Sequence, residues 1–594
     1  MQSKTSCFNR AVFRKTLSRC WPLWAGAAII LFFSLPFVLA GYDRIANYGI
    51  SFDVALVEAA LDAVNSLPVF TCLFGLVFAA GTFSFLFSKR STGLMASLPL
   101  KREGLFCSSF AAGLVMLLSV GLLTAALAAI ITLTKGVHTL SSIWTWLGVY
   151  SMEAVLFYAI GVFCAMLTGN ALVLIPLYGL VNFGGVLLSG MLQYLSRLLL
   201  IGVPMEKTLG AFAWLEKLSP CEKLLMQVGS TYIAPAPGVP EVQYFRGWPV
   251  VIGYFIVGLA LAALALLLFK RRKMEYAQEP ATGKALGQVL KYIVTFYCAL
   301  GFPAFLLLFF GYSGLVASTP ALLLLTALGA VIGYLISEMI LHKSVRVLRS
   351  SWKGLLITAA VALLVMGAMK LDVFGYIHRV PDPAKVERAD VAAFGSLSAT
   401  ITDADDLKAL TELHRDLIDR QEPVSYLMQN LTVTYHLKNG GTLQRAYQVP
   451  DVDDGSNPAS RLRSLLNRSD VKDASLEPYR APTEDVIGAA WVAWSEPEAG
   501  EKDADVYTGT YVEQQLTEKD ALDLYQEGIL PDWKAGAFPH RAADDADTFP
   551  SGAMVVIMLH WKQEGTQELV YCLTPDCVNT LAWLAAHGYE IPDV

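Results

Sequence analysis

Nine runs of about 20 predominantly apolar residues constrain this chain more than any other feature. The runs cover residues 21–40, 67–87, 105–132, 143–167, 171–195, 249–269, 290–311, 321–341 and 352–369. Each run is long enough to cross the ~30 Å hydrocarbon layer of a bilayer as an α-helix. The mean hydropathy of +0.48 agrees with this interpretation. The sequence therefore predicts a multi-span α-helical membrane protein with about nine transmembrane helices.

Charge divides the chain into two halves of opposite sign. Residues 1–370 contain 27 Lys and Arg against 13 Asp and Glu, whereas residues 371–594 contain 18 against 38. We expect a basic membrane half, followed by an acidic α+β domain at 371–594. Within the membrane half, residues 1–273 contain six spans and residues 274–370 contain three more.

The connections between the runs alternate in charge. Basic clusters lie at the N-terminus, at 88–104, at 270–289 and at 342–351, all on one side of the predicted topology. Basic loops favour the cytoplasmic side, so we expect the N-terminus to be inside. An odd number of spans then places the acidic domain outside the cytoplasm.

The first 20 residues carry five basic and no acidic side chains, with apolar residues at helical spacing. They predict an amphipathic helix on the inner surface, leading into a span that begins at Trp21. A signal peptide is the competing interpretation, because Val38-Leu39-Ala40 resembles a cleavage site. The long apolar run and its early Trp21 and Trp24 favour a retained span.

The segment Phe87–Glu103 is a short basic stretch between two apolar runs. Ser91 or Thr92 could cap a helix of one to two turns, and Pro99 would end it. The segment could be a site at which a partner protein docks, or an ordinary basic loop with nothing bound to it.

Ionisable and polar residues within the runs are few. Glu153 lies near the middle of the fourth run, Asn182 in the fifth and Glu338 toward the inner end of the eighth. A carboxyl group at such depth either marks a functional site or is paired with a neighbouring helix or base. Asn182 could form a hydrogen bond across a glycine-containing face used for helix packing.

The acidic half predicts capped helices and β-hairpins that occur in a recurring order. Helices are expected after Thr402 or Asp403, at 459–466, after Thr517 and after Thr574, with hairpins at 431–449 and 553–573. This order predicts a duplicated strand, helix, hairpin, helix unit. Cys572 and Cys577 could form a short disulfide loop, and no catalytic or metal-ligating set is evident in this half.

Three stretches taken together resemble the permease subunit of an ATP-binding-cassette transporter of the type-2 exporter class. They are FNRAVFRKTLSRCWPLW near the N-terminus, SLPLKREGLF at the end of the first inner loop, and the six spans through Lys270-Arg271-Arg272-Lys273. The stretch ISEMILHKSVRVLRSSWKG and the acidic half resemble a Firmicutes-type variant with three extra spans and an appended domain.

The resemblance implies an N-terminal elbow helix and a coupling segment that an ATPase subunit contacts. The implied elbow residues are Phe8, Arg10, Phe13 and Arg14. The implied coupling residues are Arg90, Leu94, Met95, Leu98, Pro99, Lys101 and Arg102.

The chain lacks the phosphate-binding loop that an ATPase of this kind needs. Its single Gly-Lys pair is Gly283-Lys284, and Gln278 stands where the loop motif requires its first glycine. No enzymatic activity and no bound cofactor are therefore expected of this chain, and ATP with Mg²⁺ would be held by a separate ATPase subunit.

The expected function is that of a permease in the bacterial plasma membrane, exporting or extracting a hydrophobic, peptide or envelope-related substrate. The expected partners are the ATPase, a second permease subunit and the lipid bilayer, with no nucleic acid. The alternative is a membrane-anchored sensor or scaffold, whose outer domain binds envelope components or peptides without transport.

Overall fold

The computed structural model divides the chain into two compact units. The first comprises residues 1–195, 208–233 and 241–367, and the second comprises 196–207, 234–240 and 368–594. The residues that the structure describes are 8–42, 52–97, 99–204, 210–233, 242–310, 319–344, 348–373, 375–393, 397–419, 428–450, 458–466, 468, 487–496, 510–535, 537, 555–561, 568–573 and 575–589.

The first unit is a bundle of α-helices. Its helices are α1 (Arg10–Ser34), α2 (Pro36–Gly41), α3 (Phe52–Asn65), α4 (Leu67–Thr82), α5 (Lys89–Ser97), α6 (Arg102–Thr134), α7 (Ser141–Leu167), α8 (Ala171–Leu199), α9 (Gly210–Glu216), α10 (Pro220–Gln227), α11 (Trp248–Arg271), α12 (Lys284–Phe310), α13 (Thr319–His342) and α14 (Leu348–Lys370). Between α10 and α11, a small hairpin pairs β1 (Gly229–Ile233) with β2 (Val242–Arg246).

The described helices allow eight or nine membrane crossings. Eight spans, the first of them formed by α1 with α2, are long and apolar enough to cross a membrane, and α3 with α4 supplies a ninth if this bent pair is one span. The eight spans and the bent pair correspond in order to the nine predicted apolar runs, which confirms a multi-span helical fold, and the number nine stays a prediction. The pair α3–α4 bends by 46° at a break beside Ser66, where Pro68 in the first turn of α4 suits a helix start.

Helix α7 is the centre of this bundle. It packs against α3, α4, α6 and α11, and 83% of its most apolar window is buried. Glycines allow the close approach, since a Cβ on Gly75 of α4 would lie 2.5 Å from the Phe157 carbonyl carbon. A Cβ on Gly258 of α11 would lie 2.7 Å from Leu156 Cα. The bundle therefore depends on backbone contacts that only a missing side chain permits.

The second unit contains two four-stranded antiparallel sheets. Its elements are β3 (Val386–Ala393), β4 (Leu397–Ile401), α15 (Ala404–Asp419), β5 (Met428–Leu437), β6 (Thr442–Pro450), α16 (Pro458–Leu466), β7 (Ile487–Glu496), β8 (Thr510–Leu516), α17 (Glu518–Asp523), a π-helical turn (Leu524–Ile529), α18 (Leu530–Ala535), β9 (Val555–Trp561), β10 (Glu568–Cys572) and α19 (Val578–Ala586).

The two sheets have equivalent strand orders. The first is β4-β3-β5-β6 and the second, read from the other edge, is β8-β7-β9-β10. Each first strand also has a register shift at its start, between Val386 and Arg388 and between Ile487 and Ala489. The repeated order is what a duplicated unit requires. Each repeat has the order hairpin, helix, hairpin, helix. The sequence predicted a strand in place of the first hairpin, so each predicted repeat lacked one strand.

One helix start differs from the prediction in this unit. Asp403 caps α15 and Thr517 caps α17 through their side chains, as expected. The last helix begins at Val578 with Cys577 at the N-cap position, so it does not begin at the predicted Thr574, which lies outside the described residues. The carboxylate of the distant Asp532 takes over this role and accepts the backbone N–H groups of Asn579 and Thr580, at 3.1 and 2.7 Å.

Candidate functional site

Helix α5 presents one open face and one anchored face. Arg90 and Leu94 are exposed, Leu94 by 60%, whereas Thr92 is buried and Met95 is partly buried against the bundle core. The Thr92 hydroxyl lies 2.6 Å from the Phe85 carbonyl oxygen and 2.9 Å from that of Ser88. The predicted cap at Ser91 or Thr92 is therefore wrong. The helix begins at Lys89, and the hydrogen bonds of the Thr92 hydroxyl connect it to the residues just before it.

The remaining coupling residues follow α5 directly. Pro99 and Lys101 are exposed, and Leu98 lies outside the described residues. The Arg102 guanidinium donates to the carbonyl oxygens of Lys270 and Arg272, at 2.9 and 2.8 Å.

Arg272 extends this contact into the centre of the bundle. Its buried guanidinium donates to the Ala165 and Met166 carbonyl oxygens at the end of α7, at 2.6 and 3.1 Å. These carbonyls are among the last of the helix and lack intrahelical partners. The sequence marked Arg272 only as part of a basic cluster, and its role follows from the tertiary fold.

The other connections predicted to be inner join the same region. The Gly169 N–H donates to the Glu279 carbonyl, and the Gln278 N–H donates to the Gly169 carbonyl, at 2.9 and 2.8 Å. Lys343 forms an ion pair with Glu279 at 2.8 Å. The described parts of the connections at 88–104, 169–170, 270–289 and 342–351 thus meet at one end of the bundle, with α5 beside the turn Met274–Tyr276.

The predicted elbow residues lie at the start of α1. Asn9 caps this helix through its side chain, and its N–H donates to the Ser108 hydroxyl at 2.7 Å. Phe8 and Phe13 form an aromatic pair with ring centroids 5.3 Å apart, and Arg10 and Arg14 are exposed. The predicted surface helix and first span form one continuous helix through Pro22, so an elbow role stays a prediction.

Glu153 and Asn182 belong to one buried polar cluster, which we call the α4–α7–α8 cluster. A Glu153 carboxylate oxygen lies 3.0 Å from the Thr71 hydroxyl of α4. The Tyr178 hydroxyl of α8 donates to the Cys72 carbonyl at 2.7 Å, and the Asn182 amide donates to the Tyr178 carbonyl at 2.9 Å. The sequence predicted Glu153 and Asn182 as polar candidates, but it did not predict that Thr71 and Tyr178 would lie beside them.

Two acceptors in this cluster are unsatisfied. Glu153 Oε1 and Asn182 Oδ1 are buried without a hydrogen-bond partner among the described residues. Unsatisfied buried oxygens in a membrane interior are costly and typical of functional positions.

Glu338 is paired with neighbouring bases, which is the second of the two interpretations that the sequence allowed. Its carboxylate lies 2.9 Å from Lys291 Nζ of α12 and 3.1 Å from His342 Nε2 on its own helix. Lys291 also donates to the Tyr334 hydroxyl at 3.3 Å. His342 lies one turn away on the same helix, whereas Lys291 was missed because it lies 47 positions away in sequence.

An apolar cavity of about 760 Å³ lies between α8, α12 and α14. Leu180, Leu188, Phe296 and Val361 are typical of its lining. The hydroxyl of Tyr297 in its wall is already used, donating to the Gly184 carbonyl at 2.8 Å. The volume lies in the range of small-molecule sites, and the lining favours hydrocarbon over polar groups.

The first sheet of the second unit buries a histidine between two tyrosines. His414 Nδ1 lies 3.0 Å from the Tyr435 hydroxyl, and Nε2 lies 2.5 Å from the Tyr447 hydroxyl. In the neutral ring one nitrogen donates and the other accepts. Burial, with a smaller contribution from Arg445, lowers the pKa of His414 to about 4, which keeps it neutral at physiological pH.

Arg445 holds the chain that leads into this sheet. Its fully buried guanidinium lies 3.7 Å from the centroid of the Tyr376 ring and donates to the Tyr376 and Arg379 carbonyl oxygens, at 2.6 and 3.2 Å. Gly202, which follows α8, contacts the same sheet, because the Ala446 N–H donates to the Gly202 carbonyl at 3.3 Å. The first sheet is therefore hydrogen-bonded to the residues that follow α8 and to the residues that follow α14.

The predicted disulfide stays a prediction. Cys577 is buried, with Sγ 3.7 Å from the Ala537 carbonyl oxygen, and the side chain of Cys572 lies outside the described side chains.

Comparison with known proteins leaves the chain without an assigned family. Among the described residues, no group of three or more His, Cys, Asp or Glu side chains is placed to hold a metal ion. No protein-family model, curated protein or solved structure matches the sequence or the fold.

Proposed function

We propose that this chain is the membrane-spanning permease subunit of an ATP-binding-cassette transporter, and that a separate ATPase drives it through α5. The observation that carries the proposal is the position of α5. One face of this helix is open to a partner, and the other is anchored by Thr92.

Force applied to α5 would have a direct route into the bundle. Helix α5 is followed by Arg102, which holds the Arg272 carbonyl, and Arg272 holds the end of the central helix α7. A displacement of α5 would therefore be transmitted to α7 through hydrogen bonds donated by charged guanidinium groups, which are stronger than hydrogen bonds between neutral groups. The ordinary role of such a network is to stabilise a loop, and the exposed Leu94 beside basic residues is what favours docking.

Topology supports the energy source proposed. The basic connections meet at one end of the bundle, and positive charge favours the cytoplasm, where ATP is available. In this proposal the second unit lies outside the bacterial plasma membrane. The chain itself has no phosphate-binding loop, so ATP and Mg²⁺ belong to the partner. A second permease copy or homologue completes the transporter.

The apolar cavity and the α4–α7–α8 cluster support a hydrophobic or amphipathic cargo. The cavity offers a hydrocarbon surface within the membrane, and the cluster offers unsatisfied acceptors at Glu153 and Asn182. The first sheet of the second unit is hydrogen-bonded to the residues that follow α8 and α14. The second unit is therefore suited to gating or to binding cargo outside.

Affinity purification tests the proposal. The full-length chain should co-purify with an ATPase of the ABC class, identified by mass spectrometry. Leu94→Glu should abolish this association without disturbing the fold, because the side chain is exposed. Leu371→Glu is the matched control, since Leu371 is 79% exposed and follows α14 on the predicted outer side. Retention of the ATPase by the Leu94 variant would refute docking on α5.

Vesicle transport separates this function from the alternative of a sensor or scaffold. Vesicles containing the chain and its ATPase should move a lipid-like or peptide probe only when ATP is present. A sensor would bind such probes and show no ATP-dependent movement.

A further inference from the structure

Two buried thiols from distant parts of the chain lie together at the edge of the α4–α7–α8 cluster. Cys72 lies on α4 and Cys221 on α10, and both are free and buried, at 7% and 3% exposure. Helix α10 packs against α4. The sequence, in which 148 residues separate the two cysteines, gave no reason to pair them.

A backbone contact places Cys221 beside the helical turn that carries Cys72. Cys221 Sγ lies 3.7 Å from the Pro68 carbonyl oxygen. In an α-helix this carbonyl is the acceptor for the N–H of residue 72, so Cys221 Sγ lies against the turn that carries Cys72. The two thiol side chains are also within hydrogen-bonding reach of each other.

We propose that Cys72 and Cys221 are a redox modification site, at which a small hydroperoxide converts the two thiols into a disulfide that joins α10 to α4. A pair of this kind differs from the other buried cysteines. Cys20 and Cys164 are also free and buried, and neither shows a contact with another thiol among the described residues.

The reaction has two balanced steps. In the first, one thiol sulfur attacks hydrogen peroxide, the O–O bond breaks, an S–O bond forms, and the thiol proton leaves with the departing hydroxide as water. In the second, the other thiol attacks the sulfenic sulfur, the S–S bond forms, the S–O bond breaks, and a second water leaves. Two thiols lose two electrons in total, and one peroxide is reduced to two waters.

The surroundings suit a small oxidant better than a protein oxidant. Both thiols are too deeply buried for another protein to reach, whereas peroxide is close to water in size and can enter through local opening. Glu153 lies near enough to interact electrostatically with both cysteines. The disulfide would therefore fix α10 beside the carboxyl group that the cluster leaves unsatisfied.

Thiol mapping on the full-length protein in membrane vesicles tests this site. The vesicles are treated with hydrogen peroxide, remaining thiols are blocked with a maleimide after unfolding, and the digest is searched for linked peptides. The expected result is a Cys72–Cys221 linked peptide that disappears on reduction with dithiothreitol. Maleimide labelling of the two cysteines should fall by equal amounts, because each disulfide consumes one of each.

Two comparisons keep the result decisive. Cys164→Ser should leave the linked peptide unchanged, whereas Cys221→Ser should remove it and leave Cys72 open to maleimide. The half-buried Cys298 reports that the oxidant reached the protein. Full labelling of Cys72 and Cys221 under conditions that oxidise Cys298 would overturn the proposal. This outcome is independent of whether an ATPase binds α5.

Discussion

Acidification should destabilise the first sheet of the second unit through His414. The folded protein holds the pKa of this histidine at about 4, against an ordinary value of 6.5. Between these values the unfolded chain binds a proton that the folded sheet does not, so the free energy of unfolding falls as the pH falls. The loss contributed by His414 is about 2 kcal/mol at pH 5 and about 3 kcal/mol near pH 4, relative to pH 8.

The groups around His414 explain why it resists protonation. Tyr435 and Tyr447 use both ring nitrogens, so a protonated ring would need both hydroxyls to accept. Arg445 and Arg415 add like charge nearby. Burial remains the largest cause.

Hydrogen exchange on the full-length protein measures this effect. Peptides from α15, β5 and β6 should lose protection between pH 8 and pH 5, after correction for intrinsic exchange, by more than peptides from the second sheet. His414→Gln keeps one donor and one acceptor but cannot titrate, so its pH dependence should be weaker by the stated amount. Parallel loss of protection in the wild type and in this variant would refute the assignment to His414.

Two further predictions concern buried carboxylates. Glu338→Gln leaves the Lys291 ammonium buried without its carboxylate and should cost about 3–5 kcal/mol of stability. The double variant Lys291→Met with Glu338→Leu should restore most of the loss in thermal melting in detergent, and no recovery would contradict the ion-pair argument. Asp532→Ala removes the cap of α19 and should cost about 1–3 kcal/mol. The exposed Glu412→Ala on α15 is its control, expected within about 0.5 kcal/mol, and equal exchange at α19 in both variants would contradict the capping role.

The sequence predicted the membrane half well, because the signals used there are local. An apolar run long enough to cross a bilayer can be recognised without knowing its neighbours. Eight of the nine runs correspond to described helices that could span a membrane, and the ninth corresponds to the bent pair α3–α4. The caps at Asp403 and Thr517 are local for the same reason, since a side chain reaches only the next turn.

Contacts between distant segments could not be predicted in this way. Lys291 meets Glu338, and Arg272 meets the end of α7, through packing that no short pattern encodes. The strand β7 was missed because Ile487–Glu496 is nearly continuously apolar at its centre and lacks clean alternation. The cap of α19 was assigned to the nearest threonine, whereas the fold supplies Asp532 from 47 positions away.

The central claim is that an ATPase subunit contacts the open face of α5, and photocrosslinking tests this contact most directly. A photoreactive amino acid at position 94, introduced into the full-length chain in its native membrane, should crosslink to an ATPase of the ABC class. The same group at position 371 should give no such product. Absence of the crosslink from position 94, or equal yields from both positions, would contradict the account.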